Sequence, residues 1–250
     1  MNRYTDADAY TEEVYGNGDA KTKRGLGGFY NTLIASLEQD PETLLEIGVG
    51  AGHSQLTWSV ALPNTTIVGI ELSSPVLKHC EDRSLHVLQY TNAVDGVNNF
   101  HNEKIPMKAT KNVNIYYNRD GYDPAVSQEF TETYGKLPVI INDGWTNSDV
   151  HNLFLDSWQD KITDDGCLIQ EKLGRYANLG VNAQSINKAI ARGWLVYDIR
   201  EYSSHHANNG GIVGVWSNNK EKYENIFSDF KRVYQAEKDL DNIAAPPIET

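Results

Sequence analysis

The chain is predicted to fold as an α/β protein, a mostly parallel sheet with helices on both faces. Three observations predict it. Short apolar runs of the kind that fill buried parallel strands alternate with segments whose apolar residues recur at three and four. One of those runs, Leu44 to Ile47, leads directly into glycines at 48, 50 and 52. The last two β-rich runs are neighbours joined by a short polar loop, so they are expected to pair antiparallel. Seven strands are expected in all.

Residues 1–24 are polar, with a turn-rich Tyr15-Gly16-Asn17-Gly18-Asp19. From Gly25 to Glu38 the residues Leu26, Phe29, Tyr30, Leu33, Ile34 and Leu37 mark an amphipathic helix that Asp40-Pro41 ends. The first strand follows, then a helix from Ser54, a capping residue, to Leu62, broken by Pro63-Asn64. Ile67 to Ile70 is the second strand. A strand, a short helix and a parallel strand in so few residues form a right-handed crossover unit. Residues 75–111 show no clear period beyond a helical Pro75 to Arg83 and read as an elaborated connection.

Asn112 to Tyr117 is the third strand, Val126 to Tyr134 a helix, and Leu137 to Asn142 a buried fourth strand. A helix from about Ser148 to Asp160 follows, and Asp164-Asp165-Gly166 is expected to turn into a fifth strand, Cys167 to Gln170. A helix over 182–192, strands at Trp194 to Tyr202 and Gly211 to Trp216, and one terminal helix from Asn219 to Leu240 complete the prediction. The 250 residues fit a division into an N-terminal helical cap (1–42), one α/β domain (43–240) and a loose tail (241–250).

The chemistry concentrates between Thr43 and Ser74. Glycines 48, 50 and 52 let the backbone turn sharply and keep side chains away from a ligand lying across the end of the first strand. Glu71, at the end of the second strand, stands where a carboxylate accepts hydrogen bonds from both hydroxyls of a ribose. A dinucleotide site would need G-x-G-x-x-G; here His53 takes the place of the third glycine, which comes one residue early. The implied ligand is a nucleoside, and the glycine spacing departs from the dinucleotide fingerprint.

Composition narrows the partners. Acidic residues number 34 against 22 basic, a net charge of −12, which disfavours a polyanion such as nucleic acid; the densest basic cluster is Lys21, Lys23 and Arg24. The two cysteines, Cys80 and Cys167, form no paired metal or redox spacing. No secretory signal and no apolar run near the ~20 residues of a membrane span is visible, so a cytoplasmic protein is expected. Oligomeric state has no signature in the sequence.

The spacing Glu46-x-Gly48-x-Gly50-x-Gly52 resembles the first motif of the class I S-adenosylmethionine (SAM) methyltransferases, which have a Rossmann-like seven-stranded sheet closed by an antiparallel strand. Within that superfamily the chain resembles the branch of macrolide-sugar O-methyltransferases and cephalosporin-hydroxylase-like proteins. Four segments carry this: Gly18-Asp19-Ala20-Lys21 before a Tyr-bearing helix, Glu46 to Ser54, Asp120 followed by Asp123, and Asn142-Asp143-Gly144. The resemblance implies SAM as cofactor. Glu46 with Gly48, Gly50 and Gly52 would hold its methionine end, Glu71 its ribose, and Asp120 and Tyr122 would flank its adenine, with Ser54, Leu72 and Gly121 as further cofactor-binding residues. Asp143 would face cofactor or acceptor.

The branch ends its fourth strand in Asp-Asp-Gly-Ser-His, whose acids hold magnesium and whose histidine is a base. Asn142 and Thr146 stand at the first and last of those places. An amide in place of a carboxylate removes a charge that a hard cation wants, so no metal ligands are assigned and magnesium dependence is in doubt. Asp143 and His205, the latter beside His206 in a polar loop, are the candidates to assist the acceptor, with Glu171 a further acid at that edge. The reaction expected is methyl transfer to oxygen or nitrogen of a small sugar-like or natural-product-like acceptor. The alternatives are a macromolecule-directed methyltransferase and a SAM- or nucleoside-binding module without transfer activity.

Overall fold

A computed structural model describes residues 2–15, 21–50, 52–72, 97–99, 112–144, 150–174, 182–203 and 211–240. All seven expected strands are present, the sixth shorter than expected because Arg200–Tyr202 is a 3-10 turn: β1 (Thr43–Ile47), β2 (Thr66–Glu71), β4 (Val113–Tyr117), β5 (Leu137–Asn142), β6 (Ile162–Gln170), β7 (Leu195–Asp198) and β8 (Ile212–Trp216). Two three-residue edge strands, β3 (Val97–Asn99) and β9 (Lys231–Val233), widen the sheet to nine in the order β3-β4-β2-β1-β5-β6-β8-β7-β9. The central strands β4, β2, β1, β5 and β6 run parallel, and β8 inserts antiparallel between β6 and β7, as expected of a hairpin with a short connection.

Strand side chains alternate between two cores, because successive residues point to opposite faces. Leu44 joins one core with α1 (Arg3–Tyr15), α2 (Leu26–Ser36) and α3 (His53–Ala61); Leu45 and Ile47 join the other, with α4 (Pro124–Tyr134), α5 (Val150–Trp158) and α6 (Ala183–Ala191). Both faces are therefore covered, and all five residues of β1 are buried. From β1 the chain goes to β2 on one side and later returns to β5 on the other. This is the topological switch point at which open α/β sheets open a crevice beyond their strand ends.

Four local expectations are corrected. The polar stretch 1–24 contains a regular helix, α1, whose apolar signal is weak because Tyr4 carries much of its burial: fully enclosed, its ring lies 4.9 Å from Tyr30 and 4.5 Å from Trp58. Ser54 does not cap α3. The N-cap is Gly52, left-handed at φ 79°, and Ser54 lies inside the first turn. Asp164-Asp165-Gly166 is no turn before a strand but part of the nine-residue β6, whose register against β5 shifts between Leu137 and Val139. A bulge of this kind absorbs extra residues without ending the strand.

The single terminal helix is replaced by α7 (Lys220–Ile226), β9 and α8 (Ala236–Asp239). Its periodic apolar residues serve two ends: Phe227 stacks on Phe29 at 4.1 Å, and Val233 pairs with Val196 across the sheet edge. Helical spacing alone does not separate these roles. The expected helix at 75–83, the loop with His205 and His206, and the tail at 241–250 lie outside the described residues. Among those described, no helix is long and apolar enough to cross a membrane.

Candidate functional site

The glycine turn is built as its sequence suggests, with a different reason at each position. Gly48 (φ 90°) donates its N–H to Ile70 O at 2.9 Å, and a Cβ there would stand 2.5 Å from Gly144 Cα, so close packing of β1 against the end of β5 demands glycine. Gly50 (φ 52°) faces open space, with nothing within 4 Å of where a Cβ would be. Glu71 reaches over this turn: its Oε2 accepts from the N–H groups of Val49 at 3.0 Å and Gly50 at 3.3 Å.

These differences make a prediction. The left-handed backbone costs a non-glycine residue about 1–2 kcal/mol. Gly50→Ala is expected to lose about that much, whereas Gly48→Ala adds a backbone clash and is expected to lose more. Urea denaturation of the two variants checks the ranking.

Beyond the strand ends lies a cavity of about 560 Å³, within the range of small-molecule sites. The turn and Glu71 form one side, the loop 119–122 another, and Asp143, Gly144 and Lys172 a third. Leu72 and Leu153 line it while 60% and 53% exposed, so two large apolar side chains face a space instead of a core. The 119–122 loop is pinned from below: Trp158 Nε1 donates to Gly121 O at 2.7 Å and Ser157 Oγ to Tyr122 O at 2.7 Å. Gly121 packs on Ile47, which its Cβ would approach to 2.5 Å. Asp120 lines the cavity, and its Oδ1 also accepts from Tyr122 N at 3.0 Å, so it shapes the turn that presents Tyr122.

Behind the cavity wall is a buried ionic cluster. By strand alternation Glu46 falls on the α3 side of the sheet, fully enclosed. Its Oε1 accepts from Lys21 Nζ at 2.6 Å, and its Oε2 from Ser54 Oγ at 2.8 Å and Gln55 Nε2 at 3.1 Å. Lys21, 1% exposed, also pairs with Asp143 Oδ2 at 3.3 Å and donates to Glu171 Oε1, which accepts from the Tyr30 hydroxyl as well. Lys172 bridges to Asp143 Oδ1, and Arg24 stands 3.5 Å from Asp143 Oδ2 and 3.8 Å from Glu171 Oε2. Three acids meet three cations.

Burial pushes the Glu46 carboxyl up to about 7, against the pull of Lys21 and with a further push from Glu171 and Asp143. Burial also disfavours the Asp143 carboxylate, but Lys21, Lys172 and Arg24 outweigh it and hold that group far below the usual carboxylate range. A carboxyl whose folded pKa lies above its ordinary 4.5 binds its proton more tightly when folded, so Glu46 lowers stability as pH rises from about 4.5 to about 7. Glu46→Gln is expected to flatten that segment of the stability–pH curve, measured by denaturant midpoints. Asp143 acts oppositely: its contribution is lost as pH falls below its ordinary 3.8.

Asn142 is buried and fully engaged. Its Oδ1 accepts from the Tyr122 hydroxyl at 2.9 Å and Gly144 N at 3.1 Å, and its Nδ2 donates to Gln170 Oε1 at 2.7 Å. The structure thus gathers Gly48, Gly50, Ser54, Glu71, Leu72, Asp120, Gly121, Tyr122 and Asp143 around one cavity. Gly52 caps α3 beside it, and Glu46 sits behind it. His205 lies outside the described residues. Lys21, Arg24, Tyr30 and Lys172 were not expected as site residues. Lys21 and Arg24 left a trace in the sequence as part of the densest basic cluster, and Tyr30 as a residue of the helix after the Gly18 segment; Lys172 left none.

No protein-family model matches the chain, and no curated protein matches it. Solved structures do. The chain is similar to the MycE methyltransferase from the mycinamycin biosynthetic pathway, solved in complex with Mg, SAH and mycinamycin VI (15% identity, TM-score 0.41, 59% of this chain and 32% of that one). It is similar to an O-methyltransferase from Klebsiella pneumoniae described as putative (10% identity, TM-score 0.46, 87% of this chain and 90% of that one). It is also similar to a fibrillarin/Nop5p complex (12% identity, TM-score 0.47, 74% of this chain and 78% of that one). The chain spans about a third of the MycE methyltransferase. At these identities the likeness is one of fold.

Proposed function

We propose that the chain is a SAM-dependent methyltransferase acting on a small acceptor. The observation that carries this reading is the open space over Gly50 facing Glu71, in a cavity whose exposed Leu72 offers an apolar face to a base. A nucleoside without phosphates suits this floor, since the Val49 and Gly50 N–H groups of the turn already serve the Glu71 carboxylate, whose charge opposes a phosphate there. The residues fit the cofactor. Glu71 would hold the ribose, Leu72 with Asp120, Gly121 and Tyr122 the adenine, and the glycine turn with Ser54 the methionine end.

When bound, SAM supplies an activated methyl group, and positioning the acceptor in line with it provides much of the rate. Asp143, a fixed anion at the cavity wall, would orient an acceptor hydroxyl or amine. Its strength as a proton acceptor falls with its lowered pKa, so His205 is proposed as the partner that takes the proton. Glu46 would act through Lys21 and Ser54, which hold it from the cavity side. The net charge of −12 favours a small acceptor over nucleic acid, and we place the protein in the cytoplasm.

A second reading, a binding module without transfer, is favoured by the engagement of Asn142 and by the ion pairs on both oxygens of Asp143. Incubation with methyl-labelled SAM and pools of sugars, small natural products and RNA separates the readings. Label in the small-molecule fraction is the expected result. Label in RNA supports the macromolecule-directed alternative, and binding without label in any fraction supports the module.

A further inference from the structure

One oxygen from each of Glu46, Asp143 and Glu171 lies within 4.8 Å of the others, an arrangement able to hold a hard cation. The point they surround carries a charge of the chain's own. The Lys21 ammonium is 2.6 Å from Glu46 Oε1 and 3.3 Å from Asp143 Oδ2, and it donates to Glu171 Oε1. The ammonium donates to Glu46 and Glu171 and stands within ion-pair distance of Asp143, so all three acids share its charge. A divalent ion brought to the same oxygens would meet a buried positive charge in a poorly screened interior. Asn142, the neighbouring group in the sequence, offers no replacement ligand: its carbonyl oxygen already takes Tyr122 and Gly144, and its amide is turned to Gln170.

The residues therefore do not fit a magnesium ion. We infer that Lys21 is the resident cation of this site, a tethered ammonium in the place among three carboxylates that a divalent metal would otherwise take, so the chain works without a metal. Lys21 is delivered by the 3-10 turn Lys21–Arg24 just before α2, and it lines the cavity as well as the cluster. Arg24 and Lys172, reaching Asp143 from either side, complete the charge balance that a single ammonium leaves unmet. Every cation the site uses is then covalently attached.

The test uses Mn²⁺ as probe on the full chain, read by the loss of its free-ion electron paramagnetic resonance signal and by thermal denaturation. No methyl donor is needed, so the outcome is separate from that of the methyl-transfer reading. The native chain is expected to take up no Mn²⁺ at this cluster. Lys21→Ala, which vacates the point between the acids, is expected to bind one Mn²⁺ per chain and to gain thermal stability with it. Glu171→Gln in the same background should abolish both effects. Uptake of one Mn²⁺ by the native chain that Glu171→Gln removes would overturn the inference. So would a folded Lys21→Ala chain that binds none, or a Lys21→Ala chain that stays unfolded with and without Mn²⁺, since then the two cations are not interchangeable.

Discussion

Lys21→Met is expected to cost about 3–5 kcal/mol of folding stability, the loss typical of removing one partner from a buried ion pair. A domain of this kind has about 5–15 kcal/mol in all, so the variant should stand near the edge of folding. The cause is the desolvation of what remains. Glu46 and Glu171 are both fully enclosed, and without the ammonium they face each other with their burial uncompensated. Neutralising the acids as well should restore much of the loss. The triple variant Lys21→Met, Glu46→Gln, Glu171→Gln is expected to be more stable than Lys21→Met alone, a non-additivity that urea denaturation reads directly.

Glu71→Ala is expected to weaken binding of S-adenosylhomocysteine by about 1.5–3 kcal/mol, roughly 10- to 150-fold, the worth of hydrogen bonds to a charged group. The effect has two parts. The carboxylate would receive the ribose hydroxyls, and it already holds the Val49 and Gly50 N–H groups and so sets the shape of the turn. Glu71→Gln keeps the size and one acceptor and should fall between. Glu71 lies at the cavity rim, outside the two cores, so its loss should change folding stability much less than that of Lys21.

Strands such as β1 and β5 were legible because they are nearly continuous apolar runs bounded by glycine or proline, the way a strand buried on both faces reads. β9 was not legible. Its three residues lie inside a stretch whose Tyr223, Phe227 and Phe230 keep helical spacing, and only the partner strand β7 decides the matter. Helix α1 hid for the opposite reason: much of its burial comes through Tyr4 and through Asp8, whose oxygens accept from Thr22 N at 2.9 Å and Thr57 Oγ1 at 3.3 Å.

The site divides the same way. Glycines and the acid after the second strand announce themselves because a turn and a sugar clamp need those residue types at fixed places along one segment. The ionic cluster does not, since Lys21, Glu46, Asp143 and Glu171 come from four segments spread over 150 positions and only the fold brings them together. Ser54 shows how a residue can be placed correctly and given the wrong local role: its hydroxyl serves Glu46 and leaves the cap to Gly52.

The cavity beyond β1 and β2 is expected to take an adenosine without phosphates. Calorimetric titration of the full chain with S-adenosylhomocysteine, and separately with NAD, tests this most directly. One equivalent of S-adenosylhomocysteine bound and no heat from NAD is the predicted result; saturable binding of NAD with none of S-adenosylhomocysteine would contradict it.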